Sequence, residues 1–134
     1  MSFYSPAEVT AKTGFSIDTL RYYEKIGLLH EVERTPGGRR RFSEADVNLL
    51  RLLRCLRDTD MPIADMLRFV ELLRGGDARR EERLAVLREH DRRVTGQIAQ
   101  LHEHQRLIRH KIAVYSGEPE CDGAAPEAAA MSRS

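Results

Sequence analysis

Cationic, hydroxyl and phenolic side chains are concentrated in one short segment, residues 16–42. Ser16 has the residue type and position to cap a helix, because its side-chain oxygen can accept a hydrogen bond from a free backbone N–H of the first turn. The helix that follows would present four polar side chains outward: Thr19, Arg21, Tyr22 and Lys25. Such a face could enter a groove of double-stranded DNA and donate hydrogen bonds to bases and phosphates.

A second basic element follows at a glycine turn. Pro36-Gly37-Gly38 has the composition of a tight turn, and Arg39, Arg40 and Arg41 come directly after it. The pattern predicts a small hairpin in which residues 32–34 pair with residues 40–42 and the three arginines extend outward. Guanidinium groups on this wing would neutralise backbone phosphates while the helix reads the groove.

Caps and hydrophobic periodicity predict the helices that position these groups. The first helix opens with the capping box Ser5-Pro6-Ala7-Glu8 and ends at Gly14; the second covers residues 17–26 and ends at Gly27. Two further helices are predicted over residues 43–57 and from Pro62 to the Gly75-Gly76 break. The side chains expected on the buried sides of the first two helices are Val9, Ile17, Leu20 and Tyr23.

A long amphipathic helix is predicted after the glycine pair. Residues 78–116 contain no proline, and apolar side chains recur at alternating steps of three and four, interrupted at Asp91 and Gln105. A helix of roughly 60 Å, at about 1.5 Å per residue, is too long to be covered by the small domain before it. The most economical partner is a second copy, paired through Leu84, Leu87, Val94, Ile98, Leu101, Ile108, Ile112 and Tyr115. The two polar positions could fix the register or lie where the helices separate.

Composition limits the remaining possibilities. The 134 residues are 41% hydrophobic and carry a net charge of +1, so any attraction to DNA depends on local clusters of arginine rather than on the whole chain. Neither a membrane-spanning run nor a leader segment is evident, and we expect a cytoplasmic protein with no membrane partner. Cys55 and Cys121 fit reduced thiols. We find no nucleophile beside a base and predict neither catalysis nor a cofactor.

Three motifs make the chain resemble the MerR family of transcriptional regulators. They are Thr19-Leu-Arg-Tyr-Tyr-Glu24 followed by Gly27-Leu28, the arginine wing ending at Phe42, and Ser43-Glu-Ala-Asp-Val47. The resemblance runs from about Tyr4 to Tyr115. It implies a mainly α fold in which residues 1–76 form a winged helix-turn-helix DNA-binding domain. Residues 77–116 would form a dimerisation helix in an antiparallel coiled coil, before a disordered tail at residues 117–134.

The resemblance also implies a mechanism and a role for individual residues. A homodimer would bind promoter DNA and distort it so that RNA polymerase can align with the promoter elements. Arg21 and Tyr22 would approach the operator directly, and Arg40 matches the wing arginine of the family. Side chains expected near phosphates are Ser16, Thr19 and Tyr23.

The chain departs from the family pattern at two positions. Arg39 stands where the family often has an aromatic residue, so a stacking contact would be exchanged for a phosphate contact. Asp60 stands where the family usually has glycine, and the turn between the third and fourth helices is therefore expected to differ in shape.

The positions of the cysteines indicate which chemical signal such a regulator would sense. Metal-responsive relatives have a cysteine at the start of the dimer helix and a pair after it, a pattern this chain lacks, and we predict no metal site. Cys55 resembles the single cysteine of the branch associated with aldehyde, electrophile and nitrosative stress. The neighbouring Arg51, Arg54 and Arg57 could favour its thiolate form. The alternative is that Cys55 is a small apolar residue of a helix core.

Three functional hypotheses follow. The first is a DNA-binding regulator that responds to stress, with Cys55 as the sensing candidate. The second is a regulator of the same type that responds to a metal or to no effector. The third, from another class, is a non-enzymatic coiled-coil interaction protein whose basic wing is incidental.

Overall fold

The computed structural model describes residues 2–117 and is mainly helical, as the sequence predicts. The elements in chain order are β1 (Phe3–Tyr4), α1 (Pro6–Thr13), α2 (Ile17–Ile26), β2 (Phe42–Ser43), α3 (Glu44–Asp58), α4 (Ile63–Arg74), a 3₁₀ turn (Gly76–Arg79) and α5 (Arg80–Ser116). The predicted tail lies outside the described residues, apart from Gly117. No helix within residues 2–117 has the length and apolar character that crossing a membrane requires.

Local capping chemistry explains where α1 and α3 begin. The Ser5 hydroxyl accepts a hydrogen bond from the Glu8 N–H, and the Glu8 carboxylate accepts one from the Ser5 N–H. Ser43 and Asp46 repeat this reciprocal arrangement at the start of α3. The predicted capping residues are confirmed in both places.

A two-stranded sheet joins the N-terminus to the end of the wing. β1 and β2 are antiparallel, with Phe3 opposite Ser43 and Tyr4 opposite Phe42. The Tyr4 hydroxyl also donates to the Glu44 carboxylate at 2.6 Å. The sequence analysis missed β1, because two residues are too few to show an alternating pattern.

One hydrophobic core lies among α1, α2, α3, α4 and the base of the wing. Its most deeply buried side chains include Val9, Phe15, Leu28, Phe42, Leu50 and Leu53. Leu20 and Tyr23 are buried as predicted, but the prediction for Ile17 is wrong, since 41% of this residue is exposed. Ile17 is the first residue of α2 and borders an open groove beside the wing, where no element covers it.

The turn after α3 keeps the conformation that glycine favours. Asp60 has a φ of 65°, and the Met61 N–H donates to the Leu56 carbonyl while the Asp60 N–H donates to the Arg57 carbonyl. These two bonds form a Schellman motif, which requires a left-handed residue at this position. Asp60 thus adopts a conformation open to glycine, and a difference in shape from the family's turn stays a prediction. Asp60 tolerates the left-handed region at a cost of about 1 kcal/mol.

The first compact unit ends at Arg88, so it includes the first turns of α5. Val86 and Leu87 pack against the core, and the Arg83 guanidinium donates to the carbonyls of Leu72 and Gly76. The boundary predicted after residue 76 followed the Gly75-Gly76 break in the sequence. That break ends a helix without ending the unit, because the next helix returns apolar side chains to the same core.

The second compact unit begins at Glu89 and is described by the remainder of α5. Large apolar side chains along this segment are exposed, between 40% for Val114 and 75% for Tyr115. Leu101, Ile108 and Ile112 fall within that range. Such a row of uncovered apolar side chains is typical of a helix that pairs with a partner.

Candidate nucleic-acid interface

The outward face of α2 carries the polar side chains that the sequence predicted for it. The Ser16 hydroxyl accepts a hydrogen bond from the Thr19 N–H at 3.1 Å and lies 2.9 Å from the Thr19 hydroxyl. Arg21, Tyr22 and Lys25 are exposed. The guanidinium of Arg21 lies 3.9 Å from the Asp18 carboxylate, and both side chains are open to solvent. A surface pair of this kind is weak, so Arg21 is free to move onto a ligand.

Tyr23 lies beneath this face rather than on it. Only 4% of the residue is exposed, and its ring meets Phe15 edge to face at 5.1 Å. Burial raises the pKa of its phenol, although the nearby Arg57 guanidinium acts in the opposite direction. Tyr23 therefore supports α2 from the core, and a phosphate contact through its hydroxyl stays a prediction.

The wing is a minimal hairpin. The Gly38 N–H donates to the Thr35 carbonyl at 2.8 Å, and Gly38 has a φ of 85°, which places a type I turn before a left-handed glycine. The Arg41 N–H donates to the Glu33 carbonyl, and Arg34 pairs with Arg40 in antiparallel register. The predicted pairing across the Pro-Gly-Gly turn is confirmed.

The expectation that all three wing arginines extend outward is wrong for two of them. Arg39 is exposed, whereas Arg40 is half-buried and donates to the Glu24 carboxylate at 2.8 Å. Arg41 is half-buried, pairs with Glu33 and places its guanidinium over the Phe3 ring, 4.2 Å from the centroid. Successive side chains of a strand alternate in direction, which turns Arg40 to the other side from Arg39. Arg41 is held against the domain by Glu33 and the Phe3 ring.

Arg34 is an exposed cation of the wing that the sequence analysis did not single out. Its guanidinium donates to the Gly38 carbonyl at 3.1 Å, which holds it along the turn. The register of the predicted hairpin could have identified Arg34, because pairing residue 34 with residue 40 brings both residues beside the turn.

Glu24 joins α2 to both strands of the wing. One carboxylate oxygen accepts from the Val32 N–H at 2.8 Å and the other accepts from the Arg40 guanidinium at 2.8 Å. Burial alone would raise the pKa of Glu24, but these two hydrogen bonds outweigh it and hold the pKa below its ordinary value. Glu24 is therefore anionic near neutral pH, as its two donors require.

An open groove of about 360 Å³ separates the start of α2 from the wing. Its floor is apolar and includes Ile17, Leu20 and Phe42. Four arginines also line it: Arg21, Arg34 and Arg39, which are exposed, and Arg40, which is half-buried. An apolar floor with a cationic edge is complementary to a sugar–phosphate backbone, which presents a deoxyribose beside each anionic phosphate.

Arginines from other helices hold both ends of α2. The Arg74 guanidinium of α4 donates to the Gly27 carbonyl at 2.7 Å, at the end of α2. Before its start, the Arg54 guanidinium of α3 donates to the Gly14 carbonyl at 3.0 Å and lies over the Phe15 ring. These contacts fix the direction of α2 against the rest of the domain.

An ion pair between the exposed His30 and the buried Asp46 holds the segment between α2 and the wing. The Nε2 atom of His30 lies 2.6 Å from the Asp46 carboxylate, and Nδ1 lies 2.7 Å from the Glu31 carbonyl. Both acceptors require an N–H, so the ring is doubly protonated in this arrangement. The hydrogen bond to Asp46 is the main cause of the raised pKa of His30.

Cys55 is exposed on α3, so the alternative that it is a buried core residue is wrong. Leu53 and Leu56 supply the core contacts of this turn instead. The predicted cluster of arginines around the thiol does not form as expected. Arg54 pairs with Asp58, and Arg57 lies over the Phe15 ring, since residues one or two apart on a helix do not face each other. Arg51 lies four residues before Cys55, and its effect on the thiol stays a prediction.

The described part of the chain shows no cluster of metal-ligating side chains. Residues 2–117 contain no group of three or more His, Cys, Asp or Glu side chains arranged to hold a metal ion. Cys121 lies outside the described residues.

Two residues of the predicted dimer interface, Leu84 and Leu87, are half-buried in the single chain. Leu87 packs against the core of its own chain, so much of its surface is already covered.

Comparison with known proteins identifies the family. A family model described as the MerR HTH family regulatory protein matches residues 4–71, which is half of the chain, and the chain therefore belongs to the MerR family of transcriptional regulators. The prediction that the protein is not an enzyme is confirmed by this membership. The family also weighs against a coiled-coil protein with an incidental wing.

Individual relatives extend the likeness into α5. An uncharacterized HTH-type transcriptional regulator of Haemophilus influenzae is 45% identical over 83 residues, which is 62% of this chain and 62% of the relative. The chain thus spans about three-fifths of that relative's length. The crystal structure of HiNmlR, described as a MerR family regulator lacking the sensor domain and bound to promoter DNA, has a TM-score of 0.80. It is 40% identical, and the match covers 86% of this chain and 87% of that one.

Proposed function

We propose that this protein is a sequence-specific regulator of transcription that binds promoter DNA as a homodimer. The observation that carries the proposal is the groove between α2 and the wing, which is lined by apolar side chains and by four arginines, three of them exposed. An enzyme cleft would present groups for acid–base or nucleophilic chemistry, whereas this groove presents arginine guanidinium groups and apolar side chains. The resemblance to a promoter-bound MerR regulator supports the same function.

The proposed DNA contacts divide between the two elements. The exposed face of α2 reads the major groove through Arg21 and Tyr22, with Lys25 at its end. Arg39 and Arg34 of the wing contact the backbone. The hydroxyls of Ser16 and Thr19 lie at the start of α2, where backbone N–H groups and the helix dipole favour a phosphate.

The proposed homodimer forms through α5. Val94 is half-buried, and the seam beyond it is exposed at Ile98, Leu101, Ile108, Ile112 and Tyr115. Antiparallel pairing of two such helices would place two copies of α2 on a two-fold operator, with a spacing set by the helix length. In this proposal the bound dimer bends and untwists the promoter so that RNA polymerase can engage it. Deformations of this kind cost about 1–6 kcal/mol, which a dimer with many phosphate contacts can supply.

Arg21→Ala should weaken binding to a duplex from the region upstream of the protein's own gene by about 10- to 100-fold, the loss expected for one base-contacting arginine. Titration by fluorescence anisotropy at fixed salt measures this loss. Arg68→Ala is a matched control, because the side chains of Arg68 and Arg21 are 61% and 60% exposed and Arg68 lies on α4. Equal losses in both variants would show that net charge, and not an α2 contact, governs binding.

We further propose that the regulator senses an electrophile at Cys55. The thiol is exposed on α3, whose neighbouring turn carries Arg54 and Arg57 against the helix-turn-helix. A covalent group on this surface could shift α3 relative to α2. The alternatives are induction by a metal and constant activity without an effector, and neither predicts that aldehydes induce the promoter through Cys55.

Cys55→Ser should abolish induction of a promoter reporter by aldehydes while leaving operator affinity within about two-fold, since an exposed near-isosteric substitution disturbs stability little. Cys121→Ser is the matched control and should retain induction. Intact-protein mass spectrometry after exposure to the aldehyde would locate the adduct. Full induction of Cys55→Ser would leave this cysteine without a sensing role.

A further inference from the structure

The most constrained acidic side chain beside the proposed DNA surface is Glu24. Its side chain is 14% exposed, and its two carboxylate oxygens bind different strands of the wing. Val32 belongs to the first strand, and Arg40 belongs to the second. A single carboxylate of α2 thus holds the hairpin from both sides.

The wing needs such a support because it has little structure of its own. Beyond the pairing of β2 with β1 at its base, it contains one antiparallel bridge, Arg34 with Arg40. Isolated two-stranded hairpins are at best marginally stable in water. The angle of this hairpin to α2 must therefore be set by contacts with the helix.

Glu24 places a negative charge on the helix that is proposed to contact DNA. A carboxylate near phosphates lowers affinity by repulsion, so an acidic residue on a DNA-reading helix requires a compensating role. Glu24 lies next in sequence to Lys25 and three residues after Arg21. Its hydrogen bonds turn it away from the exposed face and toward the wing.

We propose that Glu24 is a positioning residue that latches the wing to α2, so that Arg39 and Arg34 meet the same DNA backbone that Arg21 approaches from the helix. The proposal depends on the DNA-binding function proposed above. Without the latch, the Val32 N–H and the Arg40 guanidinium lose their shared acceptor, and the edge of the groove loses its fixed width. The wing arginines then remain charged but no longer reach the backbone together.

A double-mutant cycle between Glu24 and Arg39 tests the latch, because these two side chains have different tasks in the proposal. In the otherwise natural protein, Arg39→Ala should weaken binding to the upstream duplex about five- to ten-fold and reduce the salt slope by about one. In the Glu24→Ala background, Arg39→Ala should change affinity by less than about two-fold, since a contact already lost cannot be lost again. A role of Glu24 in stability alone would not alter the effect of Arg39→Ala on folded protein.

Glu33→Ala is the matched control for this cycle. Glu33 carries the same charge and also binds a wing arginine, Arg41, but both residues belong to the wing itself. The effect of Arg39→Ala should persist in the Glu33→Ala background. Glu24→Gln provides a milder variant, because its amide oxygen can still accept from the Val32 N–H while one charge-assisted bond to Arg40 is lost.

The outcomes separate the latch from the DNA-binding function. If the natural protein binds no duplex, both proposals fall. If it binds but the Arg39→Ala effect is the same in all backgrounds, or if Arg39→Ala has no effect at all, the latch is overturned and DNA binding stands. Should Glu24→Ala fail to fold by circular dichroism, the cycle with Glu24→Gln decides, and a reduced Arg39→Ala effect there is the supporting result.

Discussion

The double substitution Leu101→Asp and Ile108→Asp should convert the proposed dimer into a folded monomer. The two side chains are 65% and 59% exposed in the single chain, so their replacement removes no core contact. In the dimer both would be buried in both copies, and each lost burial costs about 1.5–3 kcal/mol. Four such losses, together with buried carboxylates, exceed the association energy of a micromolar dimer, which is about 8 kcal/mol.

The loss of the dimer should reduce affinity for the upstream duplex by at least about 100-fold, because the second reader no longer binds as part of the same molecule. Sedimentation equilibrium measures the mass, and anisotropy measures the affinity. Ala99→Asp with Arg106→Asp adds two aspartates to the same stretch of α5 but off the seam, and this control should remain dimeric. A stable dimer of the Leu101 and Ile108 variant would show that the seam is not the interface.

The sequence predicts helix boundaries well where the determining contacts are local. Ser5 with Glu8, and Ser43 with Asp46, are three residues apart, and their capping bonds form within the first turn. Gly14 and Gly27 end helices through their own left-handed conformations, with φ values of 79° and 93°. Neither kind of signal needs a distant partner, so both can be read from residue type and spacing.

Predictions were wrong where a distant partner decides the position of a side chain. Ile17 has the spacing of a buried residue, but no element covers the start of α2. Arg40 has a side chain suited to binding a phosphate, but its guanidinium donates instead to the carboxylate of Glu24, sixteen residues earlier. Cys55 is a possible core residue by its type, but the packing of α3 buries Leu53 and Leu56 and leaves Cys55 exposed.

The part of the candidate site that depends on local helix periodicity was predictable, and the part that depends on distant partners was not. The period of α2 identifies Arg21, Tyr22 and Lys25 as outward, and the structure places them there. Periodicity does not reveal that Glu24 joins the helix to the wing, since its partners come from a hairpin that forms only in the folded domain. The division between helix and wing was visible in the sequence, and the contact that joins them was not.

Phe15→Ala should destabilise the DNA-binding domain by about 3–5 kcal/mol, the usual range for removing a buried phenylalanine. Phe15 is 1% exposed, meets Tyr23 edge to face, and lies beneath the guanidinium groups of Arg54 and Arg57. Its removal leaves a cavity at the turn between α1 and α2 and takes the aromatic face away from two cations. Urea unfolding followed by circular dichroism measures the loss, and an unchanged midpoint would contradict it.

Tyr22→Ala is the informative counterpart, because Tyr22 lies on the solvent side of α2, whereas Phe15 packs beneath the start of this helix. With Tyr22 52% exposed, we expect less than about 1 kcal/mol of lost stability. Binding to the upstream duplex should nevertheless fall by about ten-fold or more if the phenol contacts DNA. A Tyr22→Ala variant that loses stability and keeps its affinity would assign the phenol to packing. The opposite result would place the folding energy of α2 on its inner face and its recognition chemistry on its outer face.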